Sequence, residues 1–329
     1  MALLATVYLT LTVITALSFA LSLRVGAGDL GDAGLRDVFL SLRGARALAC
    51  MLAGSALGVA GVMVQGLFRN PLASPDILGT TAGANLGGRV AILAFQPLLL
   101  ATDGAVSPDV LLPLGCLLGA AGSLAVLVFF VREESDSVVL LLVGFILSSL
   151  FLSVASFVTS IAQESWEVGR AVVAFALGSV SGTSLRVIAL CTPLVLLGTL
   201  AAFAWGRTLD VLLSGEEEAQ TLGVDVRTTR TWVVIWVSVL TSAAVTLAGS
   251  IAFVGLIVPH VLRPVVGSTH RSLVPAAALL GGAFAVLCDV GARSFPTRAE
   301  VPLGVVTGLL GAPVFLWLLL RERRGERDL

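Results

Sequence analysis

The sequence contains no lysine: all 20 of its basic residues are arginine. Charge of either sign is scarce, at 12% of residues beside 57% hydrophobic, where a soluble chain carries about 25% charged. So little polar surface cannot cover a water-soluble fold of 329 residues. That excludes a soluble enzyme, a nucleic-acid binder with a basic face and a disordered chain. The missing lysine excludes two chemistries as well. A phosphate-binding P-loop needs its Lys to reach the β and γ phosphates, and a Schiff-base enzyme needs a Lys amine. Any work driven by ATP therefore needs its nucleotide hydrolysed by a different polypeptide. The net charge of −1 says nothing about partners.

Other chemistry is thin. The four cysteines, Cys50, Cys116, Cys191 and Cys288, stand singly in apolar stretches with no CxxC or Cys/His spacing, and read as small buried hydrophobes, with no metal site. No Ser/His/Asp set, HExxH motif or paired carboxylate supports an intramembrane enzyme. Acidic residues are nearly missing from the apolar runs, where a proton- or sodium-coupled carrier would place one. Asp289 is the one candidate, and Arg293 at i+4 makes an ion pair ordering a helix end its expected use. A secondary carrier is thus disfavoured and stays as an alternative of another class.

What is present is hydrophobic runs. A helix needs about 20 apolar residues to cross the hydrocarbon layer. Ten such segments can be counted: 3–23, 45–68, 75–95, 111–131, 137–161, 187–205, 232–249, a Pro-interrupted 251–266, 272–291 and 301–320. The first is too long for a signal-peptide core and lacks a basic n-region, so it is kept as a span. The expectation is an all-α integral membrane protein, a single domain over 1–329. The arginine-rich tail (Arg321, Arg323, Arg324, Arg327) points to a cytoplasmic C-terminus, and ten crossings put the N-terminus there too. With that choice Arg69, Arg132, Arg207, Arg227, Arg230, Arg263 and Arg271 are also inside. Arg24, Arg36, Arg43, Arg46, Arg89, Arg170, Arg186, Arg293 and Arg298 are outside, a vote of only eleven to nine.

Small residues recur one turn apart at Gly54 and Gly58, at Gly115, Gly119 and Gly122, and at Gly304, Gly308 and Gly311, the spacing of close helix packing in lipid. Ser149, Ser153, Ser156 and Ser160 share one face of the fifth span. Two readings stand for them: they line a pathway, or they bond back into their own helix at an interface.

Four blocks carry a resemblance. The first is 61–79, GVMVQGLFRNPLASPDILG, a short turn between two helices in which two prolines end one helix and begin the next, Asn70 can cap and Arg69 can reach headgroups. The second is 215–225, GEEEAQTLGVD. The third is 253–260, FVGLIVPH, followed by Arg263, Gly267, His270 and Arg271. The fourth runs from Asp289 and Arg293 through Glu300, Pro302 and Gly304 to 311–315, GAPVF. In this order they resemble the iron-siderophore and cobalamin (FecCD-type) permeases of ABC importers. Gln65, Asn70, Pro71, Pro259, His260, Asp289 and Pro302 are the matching structural positions, and GSVSGT at 178–183 resembles the family's outer turn before the sixth span, near the vestibule.

The resemblance implies a type II importer permease fold in a bacterial plasma (inner) membrane. It implies pairing with a second permease chain, two cytoplasmic ABC ATPase subunits and a periplasmic or lipid-anchored substrate-binding protein, with no nucleic acid. This chain would hold no cofactor, ATP and Mg belonging to the ATPase. The loop at about 207–231 would couple to that ATPase through Glu216, Glu217, Ala219, Leu222 and Gly223, and Arg43, Arg46 and Arg293 would dock carboxylates of the binding protein as rim charges. Here the chain departs from the family, whose Arg-Leu-Pro-Arg is Arg43-Gly-Ala-Arg46, without the proline that fixes the turn. The SPD run at 74–76 is closer to siderophore permeases than to haem or cobalamin permeases, which remain the alternative.

Overall fold

The computed structural model describes residues 2–26, 34–101, 107–133, 137–295 and 300–325. Arg298 and Arg327 lie outside them. Among the described residues the chain is helical, in the order α1 (Ala2–Arg24), α2 (Arg36–Leu67), α3 (Thr80–Ala101), α4 (Pro108–Glu133), α5 (Ser137–Ala162), α6 (Trp166–Ala176), α7 (Leu185–Leu212), α8 (Glu216–Thr221), α9 (Val226–Ala248), α10 (Val254–Val266), α11 (His270–Ser294) and α12 (Leu303–Gly325). A 3-10 turn, Pro75–Leu78, precedes α3.

Eight of these helices are long and apolar enough to cross a bilayer, and α10 and the Leu303–Trp317 part of α12 are shorter apolar helices. The ten apolar runs are thus all helical, and this is a multi-pass membrane protein. At 13 residues, α10 measures roughly 20 Å at 1.5 Å per residue, too short to span the layer. It starts after a break at 249–253 and packs its first turn on α2, where Gln65 donates to the carbonyls of Gly255 and Leu256.

Several sequence-derived boundaries need correction. The second span does not begin at 45: α2 starts at Arg36, so Arg43 and Arg46 lie within the helix and not ahead of it. The third does not begin at Pro75, whose 3-10 turn ends on Gly79 in the left-handed region (φ 78°); α3 runs on past Pro97 to Ala101. The loop expected at 207–231 is shorter, because α7 and α9 extend into it and leave only 213–225. Arg89, expected on the outer side, is an interior residue of α3.

The core forms around α2, α9 and α11, which are largely buried, with α1 at the periphery. Packing is by backbone approach, as lipid gives no hydrophobic drive between helices. A Cβ placed on Gly54 would sit 2.1 Å from the Gly281 carbonyl oxygen and 2.6 Å from the Ala285 Cβ, so α2 and α11 can touch only through glycine there. Gly115 and Gly119 meet Gly87 and Gly83 of α3 in the same way, and Gly304 and Gly311 meet Leu177 and Phe253, whereas Gly122 and Gly308 face open space. Gly54→Val is expected to lower the melting temperature of the detergent-purified chain, with a loss of about 1–3 kcal/mol typical of overpacking; an unchanged melt would remove this contact from the core.

Candidate functional site

At one end of the bundle the 213–225 segment folds into α8. Three glutamates, Glu216, Glu217 and Glu218, occupy its first turn, where unsatisfied N–H groups favour negative charge. Gly223 closes it at φ 85°, donating its N–H to the Gln220 carbonyl at 2.9 Å while Val224 donates to that of Ala219 at 2.9 Å. Ala219 is fully buried, so one face is fixed inward, and Glu217, Gln220 and Leu222 are exposed on the other, Leu222 at 70%.

Glu216 does not share that exposed face. It accepts from the Arg230 guanidinium at 3.0 Å and lies 3.7 Å from that of Arg69, joining α8 to α9 and to the end of α2. Arg69 therefore leans on α8. Asp225 caps α9 by accepting from the Thr228 N–H at 3.0 Å and hydroxyl at 2.6 Å, and these bonds hold its carboxyl below the usual range. Around α8 the motif residues form scaffold. Gln65 is buried in α2 and accepts from Arg263 at 2.5 Å, and Asn70 takes the Leu72 N–H at 2.9 Å, shaping a turn beside exposed Pro71 and not capping a helix. Pro259 is buried and His260 half-buried in α10. Asp210 of α7 receives both the backbone N–H (2.9 Å) and the ring Nδ1 (2.6 Å) of His270, pinning the start of α11.

The opposite end, which carries α6, holds a buried charge network. Asp289 is fully buried in α11, with Arg46 Nε 2.9 Å from one oxygen and Arg293 Nη2 2.9 Å from the other. Arg46 continues to Glu300 at 2.9 Å, and Glu300 accepts the Ser181 hydroxyl from the 178–183 turn. Burial alone would raise the Glu300 carboxyl, but Ser181 and Arg46 hold it below the usual range. Arg43 donates to the carbonyls of Leu23 (3.0 Å), Arg24 (3.3 Å) and Gly26 (3.1 Å), and Arg293 to those of Ser22 and Val25, so both cap the unsatisfied C-terminal carbonyls of α1. Pro302 lies just ahead of α12, whose Gly304 N–H reaches the Gly178 carbonyl. A cavity of about 1010 Å³ opens beside this network, lined among others by Arg46, Asp109, Arg170, Ser181 and Glu300.

In this chain the three arginines expected at the docking face are tied into the bundle. Arg43 and the Arg293 side chain are each only 6% exposed, with their guanidinium groups turned onto carbonyls, so they are not free rim charges. Arg46, at 15%, is spent on Asp289 and Glu300.

Along α5, Ser149, Ser153, Ser156 and Ser160 are all exposed on this chain. Three of the hydroxyls bond back to carbonyls one turn earlier: Ser149 to Phe145, Ser153 to Ser149 and Ser156 to Leu152. Both features weighed from the sequence are thus present together, a hydroxyl face and local bonding. Among the described residues no group of three or more His, Cys, Asp or Glu could hold a metal, and all four cysteines are free and buried.

Residues 2–321 match the FecCD transport family. The chain belongs to that family. Among its relatives, the Fe(3+) dicitrate permease FecD of Escherichia coli is 36% identical over 87% of this chain and 86% of its own length. The cobalamin permease BtuC of Halobacterium salinarum is 38% identical over 82% and 69% respectively. Relatives named for hemin (Yersinia pestis) and molybdate (Haemophilus influenzae) are 36% and 34% identical. A solved structure of an inward-facing ABC transporter assigned to the metal-chelate type superposes with a TM-score of 0.84 at 30% identity, covering 96% of this chain and 99% of that one. This is the fold of an ABC importer permease, and such permeases are not themselves enzymes; the secondary-carrier alternative falls with it.

Sequence reasoning missed the residues that hold the FecCD-type sites in place. Arg230, Asp210 and Ser181 each complete a network from 14, 60 and 119 residues away along the chain. Arg89 did leave a signal, as the one basic residue within the apolar run 75–95.

Proposed function

We propose that this chain is the permease subunit of an ATP-driven importer of ferric siderophores in a bacterial plasma membrane. The observation that carries the coupling role is α8: a short helix with an exposed face of Glu217, Gln220 and Leu222, held rigid from behind by Glu216 on Arg230 and Arg69. A rigid peg transmits displacement where a loose loop would absorb it. In this reading the α8 end and both termini face the cytoplasm, two ATPase subunits supply ATP and Mg, and a second permease chain completes the pathway. A substrate-binding protein delivers cargo at the α6 end. Arg43, Arg46 and Arg293 then act beneath that docking face by fixing α1, α11 and the 178–183 turn. The hydroxyl face of α5 lines the pathway, since weak, evenly spaced hydroxyls let a polar cargo pass without holding it.

The siderophore assignment rests on the SPD run at 74–76 and agrees with the metal-chelate type of the superposed structure. The test is the reconstituted complex in vesicles, with ATP hydrolysis measured against binding proteins loaded with a ferric siderophore, haemin, cobalamin or molybdate. Largest stimulation by the ferric siderophore is expected. Stimulation by another cargo alone would reassign the substrate and leave the permease role standing, and uptake persisting without the ATPase would remove the role.

A further inference from the structure

We propose that Arg89 gives the pathway its preference for anions, so that cargo crosses as a negatively charged solute such as a carboxylate-bearing metal chelate. The inference rests on the reading of the α5 hydroxyl face as pathway lining. Arg89 lies inside α3, and its side chain crosses to α5, donating from Nη1 to the Ala155 carbonyl at 3.0 Å and to the Thr159 hydroxyl at 2.9 Å. Those acceptors lie to one side of the hydroxyl face, about 100° around α5 from it. The Ala155 carbonyl belongs to the peptide that links Ala155 to Ser156, and Thr159 immediately precedes Ser160.

Among the described residues the charge itself has no carboxylate partner. Arg89 is 7% exposed, its Nε is buried without a hydrogen bond, and no carboxylate of the described residues pairs with it. Neither α3 nor α5 carries another ionisable side chain. By contrast Arg46, Arg230 and Arg293 all reach a carboxylate. A strap between α3 and α5 needs only a neutral donor, so the charge is surplus to that use, and an intramembrane charge costs too much to be kept for nothing. Arginine stays protonated even when buried. An unneutralised cation on the flank of the same helix, in a medium of low dielectric, raises the potential at the neighbouring hydroxyl face with little screening. Ile92, one turn further along α3, lines the cavity at the α6 end, so the same helix connects the wide opening to this point.

The test uses Ser156→Cys, and as a second variant Ser153→Cys, in the full complex in vesicles. The four native cysteines are buried and give little background. Reaction rates are measured with three methanethiosulfonates: the anionic sulfonatoethyl, the cationic trimethylammonioethyl and the neutral hydroxyethyl reagent. The anionic-to-cationic ratio is expected to fall roughly tenfold in R89Q, which keeps a donor for the Ala155 carbonyl, and to persist in R89K, with the neutral rate constant throughout. A ratio unchanged by R89Q overturns the role of Arg89 and leaves the pathway reading intact. A fall of all three rates together makes Arg89 a strap only and overturns it too. No reaction with any reagent at either position, while Glu164→Cys in the exposed α5–α6 turn reacts, removes the pathway reading and the inference with it.

Discussion

Asp289→Ala is expected to cost the folded chain about 3–5 kcal/mol, enough to abolish recovery of a monodisperse protein from detergent. The carboxylate is fully buried and is shared by Arg46 and Arg293 at 2.9 Å each. Removing it leaves two arginines facing each other without the carboxylate between them. The loss then propagates: Arg293 also caps α1 and Arg46 also holds Glu300, so the end of α1, the start of α12 and the 178–183 turn all lose their common anchor. Asp289→Asn keeps shape and one acceptor and is expected to lose less. The measurement is thermal unfolding followed by size-exclusion profile. A variant Asp289→Ala that melts with the wild type would show that the network does not hold this end together. The companion variant Arg43→Gln separates scaffold from docking: a lowered melting temperature with unchanged affinity for the binding protein is expected, and the reverse result would restore Arg43 as a rim charge.

The same network shows what was legible in the sequence. Asp289 and Arg293 are four residues apart, so helical periodicity alone makes them neighbours, and the pair is found. Arg46 joins the same carboxylate from 243 residues away, and no local spacing can announce that. Run length placed the eight long apolar helices in the same way, because a stretch long enough to span is read without tertiary context. Boundaries were read less well wherever a helix continues past the apolar part. Residues 36–44 of α2 are mixed in polarity yet helical, and Arg43 within them is tied to the end of α1. The turn Pro75–Leu78 went the other way: proline at its first position reads as a helix start, but Gly79 breaks the backbone into the left-handed region before α3 begins. Side-chain direction was the least accessible level. Glu216 and Glu217 are adjacent and chemically identical, and the sequence assigned them one role.

That pair gives the second large effect, and the structure separates what the sequence joined. Glu217→Lys is expected to reduce binding-protein-stimulated ATP hydrolysis by roughly tenfold, the equivalent of about 1.4 kcal/mol at the proposed contact, with the melting temperature unchanged, because Glu217 is exposed on this chain. Glu216→Lys is expected to lower both quantities. Its carboxylate accepts from Arg230, whose side chain is 5% exposed, and a lysine there sets like charges together at the root of α8. A charged hydrogen bond of this kind contributes about 1.5–3 kcal/mol, so the peg loosens before any partner is met. The two variants also predict different responses to a wedge in trans. A charge-reversed ATPase groove should restore hydrolysis for Glu217→Lys and not for Glu216→Lys. Equal behaviour of the two variants, in melting and in rescue, would mean that both side chains serve the same contact and that the tie to Arg230 does not position α8.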